Sequence, residues 1–164
     1  MGFYGADPIH FESVSAVTAT NSVELGTLRM HDGEWYEYVY AIGCVSMGVG
    51  ATYSGTSGNS VVATGIVSGE YCAGFVKHES ITTGKYGWLM KKGVIDVDNG
   101  IASSAPADGD VAYLSTDGKF IAGSGKMATA ATDFIGGHVI GKVLSAGASG
   151  GTGASFSLLY ISVF

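Results

Sequence analysis

Charged residues are scarce in this sequence. Only 13% of its 164 residues are Asp, Glu, Lys or Arg, whereas hydrophobic residues make up 46%. An average globular chain carries roughly 25% charged residues, about twice as many. Because large exposed apolar patches usually mark interaction sites, we expect part of the surface to be buried against other copies of the chain or against a partner.

Proline and cysteine are equally rare, at two residues each, while glycine contributes 27. Glycine without proline, interleaved with aromatic and β-branched residues, predicts a folded chain of strands joined by tight turns rather than a disordered one. Cys44 and Cys72 are too few for a disulfide framework. Both lie in apolar, strand-like surroundings, so we predict two buried free thiols.

Long apolar runs and basic clusters are also missing. No run approaches 18 apolar residues, and the first residues lack the order of a signal peptide, so we expect a protein made in the cytoplasm that does not enter a membrane. Residues 1–76 contain seven acidic residues and a single basic one, Arg29. Because a nucleic-acid binder needs a basic stripe to neutralise phosphates, we expect no direct contact with DNA or RNA.

The usual motifs of catalysis and of cofactor or metal binding are absent from the sequence. Its four histidines are isolated, and Asp96 to Gly100 only partly matches a calcium loop. No phosphate-binding loop or G-x-S-x-G motif occurs. We therefore predict a protein without cofactor, metal or enzymatic activity, although a hydrolase built from distant residues stays open.

Short alternating segments indicate an all-β fold. Turn signals every 8–12 residues favour a single β-sandwich or barrel-like domain over 23–164, preceded by an extended N-terminal arm over 1–22. Residues 46–60 are predicted to form a long loop, and the last strand, apolar on both faces, to be buried on both. The predicted strands are 23–30, 34–42, 61–67, 71–77, 86–90, 93–97, 111–115, 119–122, 137–144 and 154–164.

An aromatic ladder stands out in the second predicted strand. Tyr36, Tyr38, Tyr40 and Ile42 recur with a period of two, so they share one face of a strand. Such a face packs either against the core or against a partner, and a carbohydrate-binding platform is a weaker alternative. Together with arm residues and Trp88, the ladder gives eight predicted partner-contact residues: Phe3, Tyr4, Pro8, Phe11, Tyr36, Tyr38, Tyr40 and Trp88.

Four phrases occur in an order that resembles small structural proteins of tailed phages, which are often encoded among head genes. The first combines Leu-Gly-Thr at 25–27, Asp-Gly at 32–33 and Tyr-Glu-Tyr-Val-Tyr-Ala at 36–41. Tyr-Gly-Trp-Leu at 86–89 with Gly-Val at 93–94 is the second. The third is Asp-Gly-Asp-Val at 108–111 followed by Asp-Gly at 117–118, and the last is Ile-Gly-Lys-Val-Leu at 140–144.

This resemblance implies a capsid decoration or cement protein. Such a protein would lie on the virion exterior, bind the major capsid protein, bridge neighbouring capsid subunits and form dimers or trimers. The arm and the loop at 46–60 lie outside the shared phrases, so the docking surface and the oligomeric state stay open. The alternative is a carbohydrate-binding head fibre or tail component that uses exposed tyrosines and Trp88.

Overall fold

A computed structural model describes residues 13–54, 61–64, 72–98, 108–114, 120–122, 139–145 and 156–162. In these ranges the backbone forms ten strands and no helix, which confirms the predicted all-β class. Consequently they contain no helix that could cross a membrane. The strands are β1 Leu28–His31, β2 Glu34–Ala41, β3 Gly50–Tyr53, β4 Val61–Thr64, β5 Cys72–Phe75, β6 Tyr86–Asp98, β7 Val111–Leu114, β8 Phe120–Ala122, β9 Val139–Ser145 and β10 Phe156–Ser162.

The strand pairings close a ring in the order β2-β4-β3-β5-β6 and back to β2. All of these pairings are antiparallel except β2–β4. The closing contact between β5 and β6 rests on one residue pair, Phe75 with Met90. From β6 the sheet continues through β10, β9, β7 and β8. The barrel-like expectation therefore describes the ring formed by five of the ten strands.

Two hydrophobic clusters occupy the two faces of this ring. Because successive side chains of a strand point to opposite faces, Val39 and Ala41 of β2 point into the ring. They meet one small or medium residue from each of the other four strands: Ala51, Val62, Ala73 and Leu89. Larger side chains of the ring strands pack on its outer face: Tyr36, Tyr38, Phe75, Trp88 and Met90. They meet residues from outside the ring: Ala112 of β7, Val143 of β9, and Val14 and Val23 of the segment before β1.

The described half of the predicted arm packs against its own domain. Val14 is buried in the outer cluster, and Thr18 forms an antiparallel bridge with Tyr86. The first strand begins later than predicted, at Leu28, because Gly26 adopts a positive φ of 83° in a preceding turn. Residues 1–12 lie outside the described part of the chain.

Two strand predictions were wrong for reasons of packing. Residues 46–60, predicted as one loop, contain β3, whose small residue Ala51 fits the narrow interior of the ring. The predicted strands 86–90 and 93–97 are one strand, β6. Gly93 does not break it, because this glycine provides space for the Glu34 side chain: a Cβ at residue 93 would lie 2.9 Å from Glu34 Cγ.

The predictions for the thiols and for the last strand have different outcomes. Cys72 is buried, as predicted, but Cys44 is exposed because it follows the end of β2. Burial raises the pKa of the Cys72 thiol to about 12, against a weaker opposing effect of the Gly74 backbone and Lys91. The thiol therefore stays protonated near neutral pH. The last strand, β10, lies between β6 and β9. Its predicted burial on both faces stays a prediction, because the side chains of 154–164 lie outside the described residues.

Candidate docking surfaces

The hairpin formed by β1 and β2 carries an exposed apolar surface. Met30 is 62% exposed and Leu28 is 50% exposed, and Met30 lies directly opposite Trp35, which is 36% exposed. Since directly opposed residues point to the same face of a sheet, Leu28, Met30 and Trp35 form one surface. We call these three residues the hairpin surface.

The turn of this hairpin follows from its sequence. Asp32 and Gly33 have φ values of 50° and 80°, so both adopt the left-handed conformation that a two-residue type I′ turn requires. The turn pairs His31 with Glu34 and sets the register that places Met30 opposite Trp35. The Asp-Gly dipeptide in the sequence therefore determines which side chains share the hairpin surface.

The Glu34 carboxylate fixes the end of the hairpin to the rest of the domain. Lys77 Nζ donates to both Glu34 oxygens at 2.6 and 2.7 Å, and the Tyr36 hydroxyl donates at 2.6 Å. The Val94 amide donates at 3.3 Å. Burial alone would raise the pKa of Glu34, but these donors outweigh it and lower the pKa below its ordinary value. The carboxylate therefore stays charged and holds the hairpin against β6.

Two more exposed apolar side chains follow the other end of β2. Ile42 is 43% exposed and Met47 is 55% exposed. We call these two residues the loop surface. Ile42 is seven residues from Trp35, and at about 3.3 Å per residue the two surfaces lie on the order of 23 Å apart along β2. One chain therefore presents two separate apolar surfaces.

Three of the predicted partner-contact residues are buried in the folded chain. Tyr36 and Tyr38 are fully buried and Trp88 is 5% exposed, since the ladder packs in the outer cluster. Their aromatic rings stabilise the domain instead: Tyr38 contacts the rings of Trp88 and Tyr86 at centroid distances of 5.0 and 6.0 Å. This corrects their assignment to a partner surface.

The other five predicted contact residues have different positions. Tyr40 is half-buried, and its ring contacts that of Tyr86 at 4.9 Å. The remaining four lie outside the described residues: Phe3, Tyr4, Pro8 and Phe11. The sequence reasoning did not single out the hairpin surface, and of the loop surface it named only Ile42, as a member of the ladder face. One signal in the sequence could have indicated the hairpin surface: Leu28 and Met30 alternate with Arg29 in a short strand before an Asp-Gly turn.

A buried polar cluster lies inside the ring, next to the interior hydrophobic residues. Lys91 Nζ lies 3.3 Å from Glu37 Oε2 and donates to the Tyr53 hydroxyl at 2.8 Å and to the Ala73 carbonyl at 2.7 Å. Tyr53 in turn donates to Glu37. Burial and the adjacent Glu37 carboxylate raise the pKa of Tyr53. The cluster satisfies its own charges, so it favours a structural role.

Metal ligands do not converge in the described ranges. There, no group of three or more His, Cys, Asp or Glu side chains is placed to hold a metal ion. The Glu34 and Glu37 clusters do bring polar groups together, and both are tied into contacts between strands. The exposed apolar surfaces are thus the features of the described chain that are best suited to binding.

No protein-family model matches the chain, and no curated protein sequence matches it. Among solved structures, the N base of the head fibre protein gp8.5 of bacteriophage phi29 matches 77% of this chain and 92% of its own, with a TM-score of 0.49 and 15% sequence identity. A similarity of that size carries no argument about this chain, so the proposals that follow rest on its own residues.

Proposed function

We propose that this chain is a structural protein of a tailed-phage virion, which decorates the capsid exterior and stabilises the shell by bridging neighbouring capsid subunits. The observation that carries the proposal is the pair of separate apolar surfaces on a domain with few charges. Burying apolar surface is favourable by roughly 25 cal/mol per Å². Two surfaces on one rigid domain give a subunit two contacts, which is what bridging requires.

The phrases that resemble phage head proteins support this proposal because they meet in the fold. The residues of 36–41 and 86–89 are cross-strand partners: Tyr38 pairs with Trp88, Val39 with Gly87 and Tyr40 with Tyr86. Asp32 and Gly33 form the turn that starts β2. The shared phrases therefore specify the pairing of β2 with β6, and docking is left to exposed positions outside them.

In this proposal the loop surface contacts the major capsid protein, and the hairpin surface contacts the next decorating subunit, so that two joined decorating subunits bridge the two capsid subunits beneath them. Each single contact is small, but many copies on one shell act together, so weak contacts reinforce it through multivalency. The chain would be made in the host cytoplasm and added to the virion exterior. It would act without a cofactor, nucleic acid, membrane contact or catalytic activity.

Binding to shells that lack the protein tests the proposed function. Purified chain is mixed with capsids of its own phage assembled without it, and the bound fraction is measured by co-sedimentation. We expect saturable binding that Ile42→Lys with Met47→Lys weakens at least tenfold, since the two lysine ammonium groups would be desolvated in the contact. Leu144→Lys is the matched control, because Leu144 is equally apolar and 42% exposed but lies on β9. Absence of binding by the unmodified chain would refute the proposal.

A carbohydrate-binding head fibre or tail component is the second candidate. Burial of Trp88 removes the side chain first considered for sugar stacking, but the partly exposed Trp35 indole beside Met30 offers another. A glycan array distinguishes the two functions. Binding that Trp35→Ala abolishes would favour the carbohydrate function, and a silent array would dismiss it.

A further inference from the structure

We propose that residues 9–12 of a neighbouring copy add as a strand to the free edge of β1 and cover the hairpin surface. The proposal names the partner of that surface and rests on the proposed function only in treating the surface as an assembly contact. It concerns contact between copies in solution, so it can fail while capsid binding holds.

The free edge of β1 offers backbone groups for such a strand. In the described part of the chain, β1 pairs with β2 alone. The two-residue turn makes His31 and Glu34 a hydrogen-bonded pair, and the Tyr38 amide donates to the Thr27 carbonyl. Because this pattern alternates along an antiparallel pair, the amide and carbonyl groups of Leu28 and Met30 point away from β2.

Leu28 and Met30 also expose their side chains, so one added strand can contact both their backbone groups and their side chains. It would pair with the outward backbone groups of Leu28 and Met30 and would cover their apolar side chains. An edge strand that combines unpaired backbone groups with exposed apolar side chains is a template for strand addition. The occupant must therefore be an extended segment with alternating apolar residues.

The sequence before Ser13 contains a segment with this pattern. Ile9 and Phe11 alternate with His10 and Glu12, and Pro8, which lacks an N–H group, ends the pattern on the other side. A register that places Ile9 and Phe11 beside Leu28 and Met30 necessarily turns Glu12 to the other face of the sheet.

That other face carries positive charge. Arg29 lies there, with its guanidinium 6.0 Å from the centre of the Trp88 ring, and it is the single basic residue of the first 76. Glu12 of the added strand would share this face with Arg29. The segment thus complements β1 in hydrophobic pattern and brings a carboxylate to the face that carries Arg29.

A neighbouring copy supplies this segment more readily than the chain itself does. Thr18 exchanges both backbone hydrogen bonds with Tyr86, on the edge of β6 that faces away from β2. The chain's own arm would have to pass from there across β6, β2 and β1. A turn in which the Ala16 amide donates to the Ser13 carbonyl at 2.8 Å shortens its reach. An arm from a neighbour avoids this crossing.

Exchange of arms leaves no β1 edge uncovered inside the assembly. If two copies exchange arms reciprocally, the contact closes a dimer. If each arm reaches the next copy in turn, the copies form a ring where the rotation between them closes and a fibre where it does not.

Photo-crosslinking in a mixture of two isotope-labelled forms of the full chain tests the proposal. A benzophenone amino acid replaces Met30, and equal amounts of ¹⁴N- and ¹⁵N-labelled protein are mixed, irradiated and digested for mass spectrometry. We expect crosslinks between position 30 and residues 9–12, about half of which join a light to a heavy peptide. Crosslinks to 9–12 within one isotope alone, or no crosslinks to this segment, would overturn the proposal.

Two variants give an independent readout by sedimentation equilibrium. Met30→Pro removes an outward amide and leaves the pairs between β1 and β2 intact, and Phe11→Asp changes the segment proposed as the added strand. We expect each to weaken self-association at least tenfold, while Leu144→Lys changes it less than twofold. Circular dichroism checks the fold of Met30→Pro. If Phe11→Asp leaves the oligomer unchanged, the arm is not the occupant, whatever the result for Met30→Pro.

Discussion

The ammonium group of Lys91 shows at the scale of one residue how the ring tolerates charge in its interior. It is surrounded by the Glu37 carboxylate, the Tyr53 hydroxyl and the Ala73 carbonyl, and both charged side chains are less than 10% exposed. A buried ion pair adds little net stability, but the loss of one partner leaves a buried charge without compensation.

Lys91→Met should therefore destabilise the domain by about 3–5 kcal/mol. Adding Glu37→Leu to this variant should recover most of the loss, because no buried charge then remains. Urea unfolding followed by tryptophan fluorescence measures both variants. Lys142→Met is the control, since Lys142 is exposed, and it should change stability by less than about 0.5 kcal/mol. If Lys91→Met and Lys142→Met change the free energy of unfolding equally, the buried cluster is not stabilising.

Glu34 gives a prediction about pH. Its pKa in the folded chain lies below the ordinary value of 4.5, since donors from Lys77, Tyr36 and Val94 outweigh the effect of burial. As the pH falls below about 4.5, the unfolded chain therefore takes up the proton first, and the free energy of unfolding decreases until Glu34 is also protonated in the folded chain.

Glu34→Gln should lower stability at pH 7 by about 1.5–3 kcal/mol, the typical contribution of a hydrogen bond to a charged group. It should also flatten the decrease in stability below pH 4.5. Thermal unfolding at a series of pH values measures both effects. Glu24→Gln, which replaces an exposed carboxylate in the same way, is the matched control. If the stability of Glu34→Gln decreases below pH 4.5 as steeply as that of the unmodified chain, Glu34 is not the group that causes the decrease.

Among the strands, the closing of the ring depends on a close approach of β5 to β6. Gly74 has a φ of 142°, and a Cβ at this position would lie 2.5 Å from the Met90 carbonyl oxygen. Gly84 also has a positive φ, 79°, but a Cβ there would have no neighbour within 4 Å. The two glycines therefore separate steric overlap from backbone strain.

Gly74→Ala should destabilise the domain by about 1–3 kcal/mol more than Gly84→Ala does, because the extra methyl group forces β5 away from β6. Gly84→Ala should cost about 1–2 kcal/mol from strain alone. Chemical unfolding of the two variants gives the difference. If they are equally stable, the contact between β5 and β6 does not hold the ring closed.

Local signals in the sequence predicted most of the strands. The Asp-Gly turn at 32–33 and the alternation of Tyr36, Tyr38 and Tyr40 correctly predicted the β1–β2 hairpin, because both act within a few residues. The same signals missed β3 and divided β6. Those errors depend on long-range packing: Ala51 is in a strand because the ring has a narrow interior, and Gly93 continues one because Glu34 lies against it.

Whether a given face of a strand is buried or exposed was harder to predict than the strands themselves. A period of two shows that Tyr36, Tyr38 and Tyr40 share a face, but not whether that face meets the core or a partner. The β7 and β9 strands and the segment before β1 cover this face, and they are far from the ladder in sequence. For the same reason the exposure of Leu28, Met30 and Trp35 was visible only in the folded chain.

For the whole molecule, scarce charge and exposed apolar surfaces support the proposal that the chain is a part of a larger shell. The low content of charged residues predicted that surface would be buried in contacts, and the hairpin and loop surfaces are where the described chain presents it. Covering both surfaces with neighbours would place the domain as a bridge on the capsid.

Heat resistance of shells with and without the chain tests this account most directly. Capsids of the same phage are assembled without the protein, one half is saturated with purified chain, and genome release is followed with a DNA-binding dye as the temperature rises. We predict release at a higher temperature from the saturated shells, with the gain lost when Ile42→Lys with Met47→Lys replaces the unmodified chain. Release at the same temperature from bare and saturated shells would contradict the claim that the chain stabilises a capsid.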